Sequence, residues 1–244
     1  MDPLLLEEMK DQEKNHWWFV ARRRIIRDVL QRIMSARCGK ILDIGCGTGY
    51  NFQWLAAMGR EVSGIEQAES MVACAQEISE SSAIVLGTFP DVSLDETYDL
   101  VTLFDVLEHI ENETGAFQKV RTLLNPGGLV CLTVPAFNFL WSGHDELAGH
   151  KRRYRGAVLE QSLRRADFTV VRLTYFNAFL FAPIASVRIL GRLFAQKKRR
   201  SDFSATPRFL NHILAAIFGS ERFLLRLMDV PFGVSILVIA QKNP

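Results

Sequence analysis

A run of thirteen residues, Lys40-Ile41-Leu42-Asp43-Ile44-Gly45-Cys46-Gly47-Thr48-Gly49-Tyr50-Asn51-Phe52, constrains the fold of this chain more than any other stretch. Lys40 to Ile44 is a short apolar run with β-branched residues. Gly45 to Gly49 sets three glycines at alternate positions, and Asn51 to Met58 reads as the first turns of a helix. The order is strand, tight turn, helix. Glycine suits such a turn because the chain reverses sharply and a ligand approaches the backbone where a Cβ would stand. The free N–H groups that open the helix suit a carboxylate or a phosphate.

The glycine spacing selects among ligands. A dinucleotide turn needs Gly-x-Gly-x-x-Gly, and Tyr50 stands where its third glycine would be. The pattern Asp-x-Gly-x-Gly-x-Gly at 43–49 instead resembles the first motif of the class I S-adenosylmethionine-dependent methyltransferases. The run Glu61-Val62-Ser63-Gly64-Ile65-Glu66 then ends a second strand on an acid, 21 residues past Gly45. In that family such an acid accepts hydrogen bonds from both ribose hydroxyls, so the resemblance assigns Glu66 and its neighbour Gln67 to the cofactor, S-adenosyl-L-methionine. It also implies that Asp43 orients the methionyl amino group, while Gly45, Cys46, Gly47, Gly49 and Tyr50 shape the turn.

The resemblance extends along the chain. Ala83 to Gly87 reads as a third strand, after which the family places an Asp on the adenine; this chain has Thr88 and Phe89, with Asp91 further on. Tyr98 to Asp105 reads as a fourth strand leading through Val106-Leu107-Glu108-His109-Ile110 into a helix, a run similar to that of ubiquinone-biosynthesis methyltransferases. Side chains there face the cleft beyond the strand ends. Asp105, Val106 and Leu107 are thus expected on the cofactor, and His109 as a base, its ordinary pKa of about 6.5 leaving a neutral fraction at pH 7. Leu123 to Gly128 reads as a turn before a fifth strand, Leu129 to Pro135. The Asn/Asp-Pro-Pro-aromatic motif of nucleic-acid amino methyltransferases is missing at the fourth strand, and no nucleic-acid partner is expected.

The implied architecture is a seven-stranded, mostly parallel Rossmann-like sheet of order 3-2-1-4-5-7-6 with helices on both faces. Residues 1–37 form a helical extension, with 3–36 read as helix, in which Trp17 and Trp18 wall the cleft as a lid. Residues 38–244 form the methyltransferase domain. Within it, 136–155 is a substrate loop whose His144 and His150 are further base candidates. Asp145, Arg152, Arg153 and Tyr154 are its substrate-binding candidates, the arginines as a clamp on a carboxylate or phosphate. A metal set of His144, Asp145 and His150 has nothing to fix its geometry, and no metal is expected.

Residues 176–232 form a helical insertion between the sixth strand, Phe168 to Tyr175, and the seventh, Val234 to Ala240. Its apolar stretches, Phe179 to Phe194 and Phe209 to Met228, flank Lys197-Lys198-Arg199-Arg200 and read as a substrate lid, a homodimer surface or a peripheral membrane contact. Charge is divided to match: 12 Lys and Arg against 20 Asp and Glu in residues 1–140, then 17 against 7 in residues 141–244. That balance suits an anionic partner for the second half.

The opening residues lack a secretion signal, no apolar run reaches the ~20 residues of a spanning helix, and the four cysteines show no close pairing. A cytoplasmic protein with reduced cysteines is expected, peripheral at most to the inner membrane face. The reading is methylation of a small-molecule oxygen, possessing an apolar or anionic part. The alternatives are a catalytically silent binding module of the same fold, kept open by the missing acid after the third strand, and a nicotinamide-dependent oxidoreductase, disfavoured by Tyr50.

Overall fold

A computed structural model of the chain describes residues 3–34, 38–79, 82–193 and 206–243. Seven strands, β1 (Cys38–Ile44), β2 (Gly59–Glu66), β3 (Ala83–Leu86), β4 (Tyr98–Phe104), β5 (Leu124–Pro135), β6 (Phe168–Phe176) and β7 (Ser235–Lys242), form one sheet in the order β3-β2-β1-β4-β5-β7-β6. Strands β1 to β5 pair in parallel, and β7 runs antiparallel between β5 and β6. This is the order and direction expected from the sequence.

The two-residue period of a strand sends successive side chains to opposite faces. Ile41, Leu100 and Ile239 pack into one apolar layer, while their neighbours Leu42, Val101 and Val238 pack into the other. Strands buried on both faces are apolar throughout rather than alternating, which is why β4, β5 and β7 read as continuous runs. One layer is closed by α5 (Glu113–Leu123) and α7 (Gly156–Arg165). The other is closed by α2 (Trp17–Ile33), α3 (Phe52–Leu55), α4 (Glu69–Ile78) and α9 (Arg208–Leu225).

The N-terminal residues differ from the single helix expected over 3–36. They form α1 (Pro3–Glu13) and then α2, broken at Lys14 to His16. His16 caps α2 by accepting the Trp18 N–H at 3.4 Å, and the Asn211 side chain accepts the Trp17 N–H at 2.7 Å. The second partner lies 194 residues away, beyond the reach of any local pattern. Ile25, Ile26, Val29 and Leu30 are buried as their spacing predicted.

Two local readings are corrected. The helix read from Asn51 to Met58 is only the four-residue α3, since β2 already begins at Gly59. The turn read at Leu123 to Gly128 is the start of β5, where Leu124 pairs with Tyr98 across an irregularity before Leu129 pairs with Leu100.

The insertion between β6 and β7 contains α8 (Phe181–Leu193) and α9. Helix α9 lies along α2: Phe218 and Leu225 are buried, and Phe218 meets Trp17 edge-on at 6.0 Å. Phe209, Ile213, Ile217 and Leu227 form an exposed outer stripe. No helix among the described residues is long and apolar enough to cross a membrane. Phe194 and the basic run 197–202 lie outside the described residues.

Candidate active site

In this strand order the winding reverses between β1 and β4, and a crevice opens beyond their carboxyl ends. A cavity of about 1320 Å³ lies there, walled by the turn after β1, the end of β2, the exit of β4, the helical extension and α8. The turn depends on glycine. Gly45 has φ +68°, and a Cβ on it would stand 2.5 Å from Val106 Cγ2; Gly49 has φ +82°, and its Cβ would stand 3.0 Å from Ala75. The turn's N–H groups are bonded within the protein: the Ile65 carbonyl accepts those of Gly45 and Cys46 at 2.8 and 3.1 Å, and the Cys46 carbonyl accepts that of Gly49 at 3.0 Å.

Glu66 ends β2 beside that turn and is buried. Its Oε2 accepts the Gly47 N–H at 3.0 Å, and its Oε1 accepts those of Gln67 and Ala68 at 2.9 and 3.0 Å. A carboxylate has about four acceptor positions, so Oε2 retains capacity for a ligand hydroxyl. Gly45, Cys46, Gly47 and Gln67 line the cavity with Glu66, and Thr88, Phe89, Asp105 and Val106 complete that wall.

Four expected cofactor residues are absent from the wall. Gly49 faces α4, and Leu107 is fully buried in the core. Tyr50 lies under the Arg23 guanidinium, 5.6 Å from its ring centroid. Asp43 is buried beneath the turn, where it accepts hydrogen bonds from Thr102 Oγ1 at 2.6 Å and Asn51 Nδ2 at 3.4 Å. These bonds brace β1, β4 and the turn.

Burial pushes the Asp43 carboxyl up to about 7 against those two hydrogen bonds. An acid with a raised folded pKa stabilises the fold below its unfolded pKa and loses that contribution as pH rises through the folded value. Between pH 5 and pH 8 the wild type is therefore expected to lose roughly 2.5 kcal/mol of stability relative to Asp43→Asn, at 1.36 kcal/mol per pH unit. Urea unfolding at a series of pH values measures this, and parallel profiles for the two proteins would refute it.

A second group of polar residues follows β4. Glu108 and His109 lie in a 3-10 turn, Leu107–His109, and His144, His150 and Arg153 come from the segment after β5; all five line the cavity. That segment is not a bare loop. It contains α6 (Gly143–Ala148), started by a Ser142/Asp145 capping box and ended by Gly149 in the left-handed region. The buried Asp145 carboxylate accepts Arg153 Nε at 2.8 Å and Nη2 at 2.9 Å, and faces His150 Nδ1 at 2.8 Å. Its oxygens are committed, which removes it from any metal set with His144.

The arginine clamp is likewise corrected. Arg153 spends its donors on Asp145 and on the Ala136 carbonyl, and Arg152, which does not line the cavity, donates to the Glu111 carbonyl. Tyr154 is buried, its hydroxyl donating to the Leu107 carbonyl at 3.4 Å. Trp17 and Trp18 do line the cavity. Burial pushes the His109 imidazole down to about 4, so it is neutral at pH 7.

Sequence reasoning missed several cavity residues, among them four polar groups. Glu13 reaches from α1 to Thr48, accepting from its Oγ1 at 2.5 Å and its N–H at 3.3 Å. Arg22 of α2 donates to the Asp105 carboxylate and stacks on Trp18 at 4.6 Å. Asn177 is buried on the wall with neither amide atom hydrogen-bonded among the described residues. Glu108 is the fourth, an acid inside an apolar run, which was the one available signal.

Known proteins resemble this chain in sequence and fold. A model of the methyltransferase domain matches residues 18–173. The "Probable S-adenosylmethionine-dependent methyltransferase" of Mycolicibacterium smegmatis is 29% identical over 162 residues, 65% of this chain and 61% of that protein. The ubiquinone biosynthesis O-methyltransferase of Acinetobacter baylyi is 29% identical over 98 residues, 37% of this chain and 41% of that protein. The matches therefore span less than two thirds of either relative. The crystal structure of an S-adenosylmethionine-dependent methyltransferase from Mesorhizobium loti superposes with a TM-score of 0.58 at 17% identity, covering 88% of this chain and 96% of that one, and shares the fold. With the domain matched over more than half of its length, the chain belongs to the methyltransferase-domain family, in its class I, S-adenosylmethionine-dependent form.

Proposed function

We propose that this chain transfers a methyl group from S-adenosylmethionine to an oxygen of a small molecule. The observation that carries the reading is the joining, in one cavity, of the Glu66 carboxylate at the glycine turn with the polar group Glu108, His109, His144 and His150. The residues present fit the cofactor: the turn borders the cavity, Glu66 keeps one acceptor position for a ribose hydroxyl, and Phe89 offers an apolar face for a base. When bound, S-adenosylmethionine supplies a methyl carbon activated by a positively charged sulfur that leaves as a neutral thioether.

The chain's own task is then alignment and exclusion of water, and alignment alone can supply several kcal/mol. Trp17, Trp18 and Ile184 give the cavity apolar walls from α2 and α8, with Leu180 just before α8, which favours an acceptor with an apolar body under a helical lid. Lys151 at the same wall suits an anionic group on it. The polar group after β4 orients the acceptor hydroxyl and receives its proton.

Calorimetric titration with S-adenosylhomocysteine and with NAD tests the reading, together with labelled S-adenosylmethionine in a cell extract. Tight binding of the nucleoside thioether, quenching or shift of tryptophan fluorescence from Trp17 and Trp18, and a labelled small-molecule product are expected. Binding of NAD without the thioether would sink the proposal.

A further inference from the structure

The Glu108 carboxylate is fully buried on the cavity wall, and neither oxygen has a hydrogen-bond partner among the described residues. Its Oε1 lies 3.9 Å from His150 Nε2. An unsatisfied buried acceptor is costly, and protonating the group adds an unsatisfied donor rather than removing the problem. The neighbouring cations do not answer it: Arg22 is engaged with Asp105, and Arg153 with Asp145 and Ala136.

The surroundings supply the rest of a cation site. Glu108, His109 and His150 each present one ligand atom, all within 4.8 Å of one another. The two imidazoles meet edge-on, with centroids 4.8 Å apart. Each ring is anchored through a second polar contact. His150 Nδ1 faces Asp145, which Arg153 holds from two sides, and His109 hydrogen-bonds to the Gly149 backbone. An ionised Asp145 places the His150 proton on Nδ1 and leaves the lone pair on Nε2. Metal-bound histidines are held in this way by a carboxylate or carbonyl behind the ring. The backbone bond from Lys151 N–H to the Glu108 carbonyl, 2.8 Å, ties the two segments together.

We propose that Glu108, His109 and His150 bind one divalent transition cation, with its remaining coordination positions open to the cavity. One carboxylate and two imidazoles suit Zn²⁺ or Mn²⁺. Metal–ligand bonds of about 2.0–2.2 Å bring ligand atoms to roughly 3–3.5 Å of one another, so the three side chains close in by about 1 Å when the ion enters. This set shares only His150 with the one raised from sequence spacing. Its use rests on the methyl-transfer reading: the open positions hold the acceptor oxygen, which a cation makes easier to deprotonate, and the proton passes to His144, the cavity histidine outside the ligand set.

The test uses the full chain without a polyhistidine tag, stripped with chelator, and titrated by calorimetry with ZnCl₂ and with MnCl₂. One equivalent of either ion is expected to bind. Affinity should fall at least about 100-fold in Glu108→Gln and in His150→Ala, and about 10- to 100-fold in Asp145→Asn, which removes an outer support. Glu108→Gln removes a buried charge and is expected to fold; retained S-adenosylhomocysteine binding in that variant verifies it. No stoichiometric binding, or one affinity shared by the wild type, Glu108→Gln, His109→Ala and His150→Ala, overturns the proposal. The two readings fail separately: metal binding without S-adenosylhomocysteine binding sinks methyl transfer, and the reverse sinks the cation site.

Discussion

Glu66→Ala is expected to weaken S-adenosylhomocysteine binding by at least about 100-fold, read by calorimetry at fixed salt. Each hydrogen bond from a ribose hydroxyl to the carboxylate is charge-assisted and contributes about 1.5–3 kcal/mol. The one acceptor position left free accounts for about tenfold or more, at about 1.4 kcal/mol per tenfold in affinity, and the turn's dependence on Glu66 supplies the rest. The same substitution releases the N–H groups of Gly47, Gln67 and Ala68 that Glu66 now accepts, so the turn loses its brace as well as its ligand contact. Glu66→Gln keeps one acceptor oxygen and the side-chain shape, and should lose about tenfold. A loss below threefold in the Ala variant, with circular dichroism unchanged, would place the ribose elsewhere.

The second large effect concerns stability. Asp145→Ala should destabilise the fold by about 3–5 kcal/mol, because removing one member of a buried ion pair leaves the other charge uncompensated. The Arg153 side chain is only 2% exposed, and two of its donors end on Asp145. Replacing both partners by apolar residues of similar volume is often near neutral, so Asp145→Leu combined with Arg153→Met should recover most of the loss. Urea unfolding of the two variants measures both values. A single-variant cost under 1 kcal/mol would show that solvent reaches Arg153.

The two predictions differ in how visible their residues were. Glu66 was legible because a strand ending on an acid, a fixed distance past a glycine turn, is a local pattern. Asp145 and Arg153 were legible as dense polar chemistry but were assigned to a substrate, since spacing cannot show that a guanidinium turns inward to a carboxylate eight residues before it in the chain. Glu13, Arg22 and Asn177 carried no local signal at all. Each owes its place to packing between distant segments: α1 on the glycine turn, α2 over β4, and the end of β6 beside the cavity.

By itself the sequence determined the strands and the glycine turn, because strand periodicity and turn chemistry are written in neighbouring residues, and its resemblance to the class I methyltransferases implied the strand order and the place of Glu66. It also located the polar segments after β4 and β5. Only the tertiary structure decided which of those polar side chains face the cavity and which face one another. Burial favours a partner for each donor and acceptor, and the partners of Asp43, Asp145 and Arg153 were already within the protein, whereas among the described residues the side chains of Glu108 and Asn177 have none.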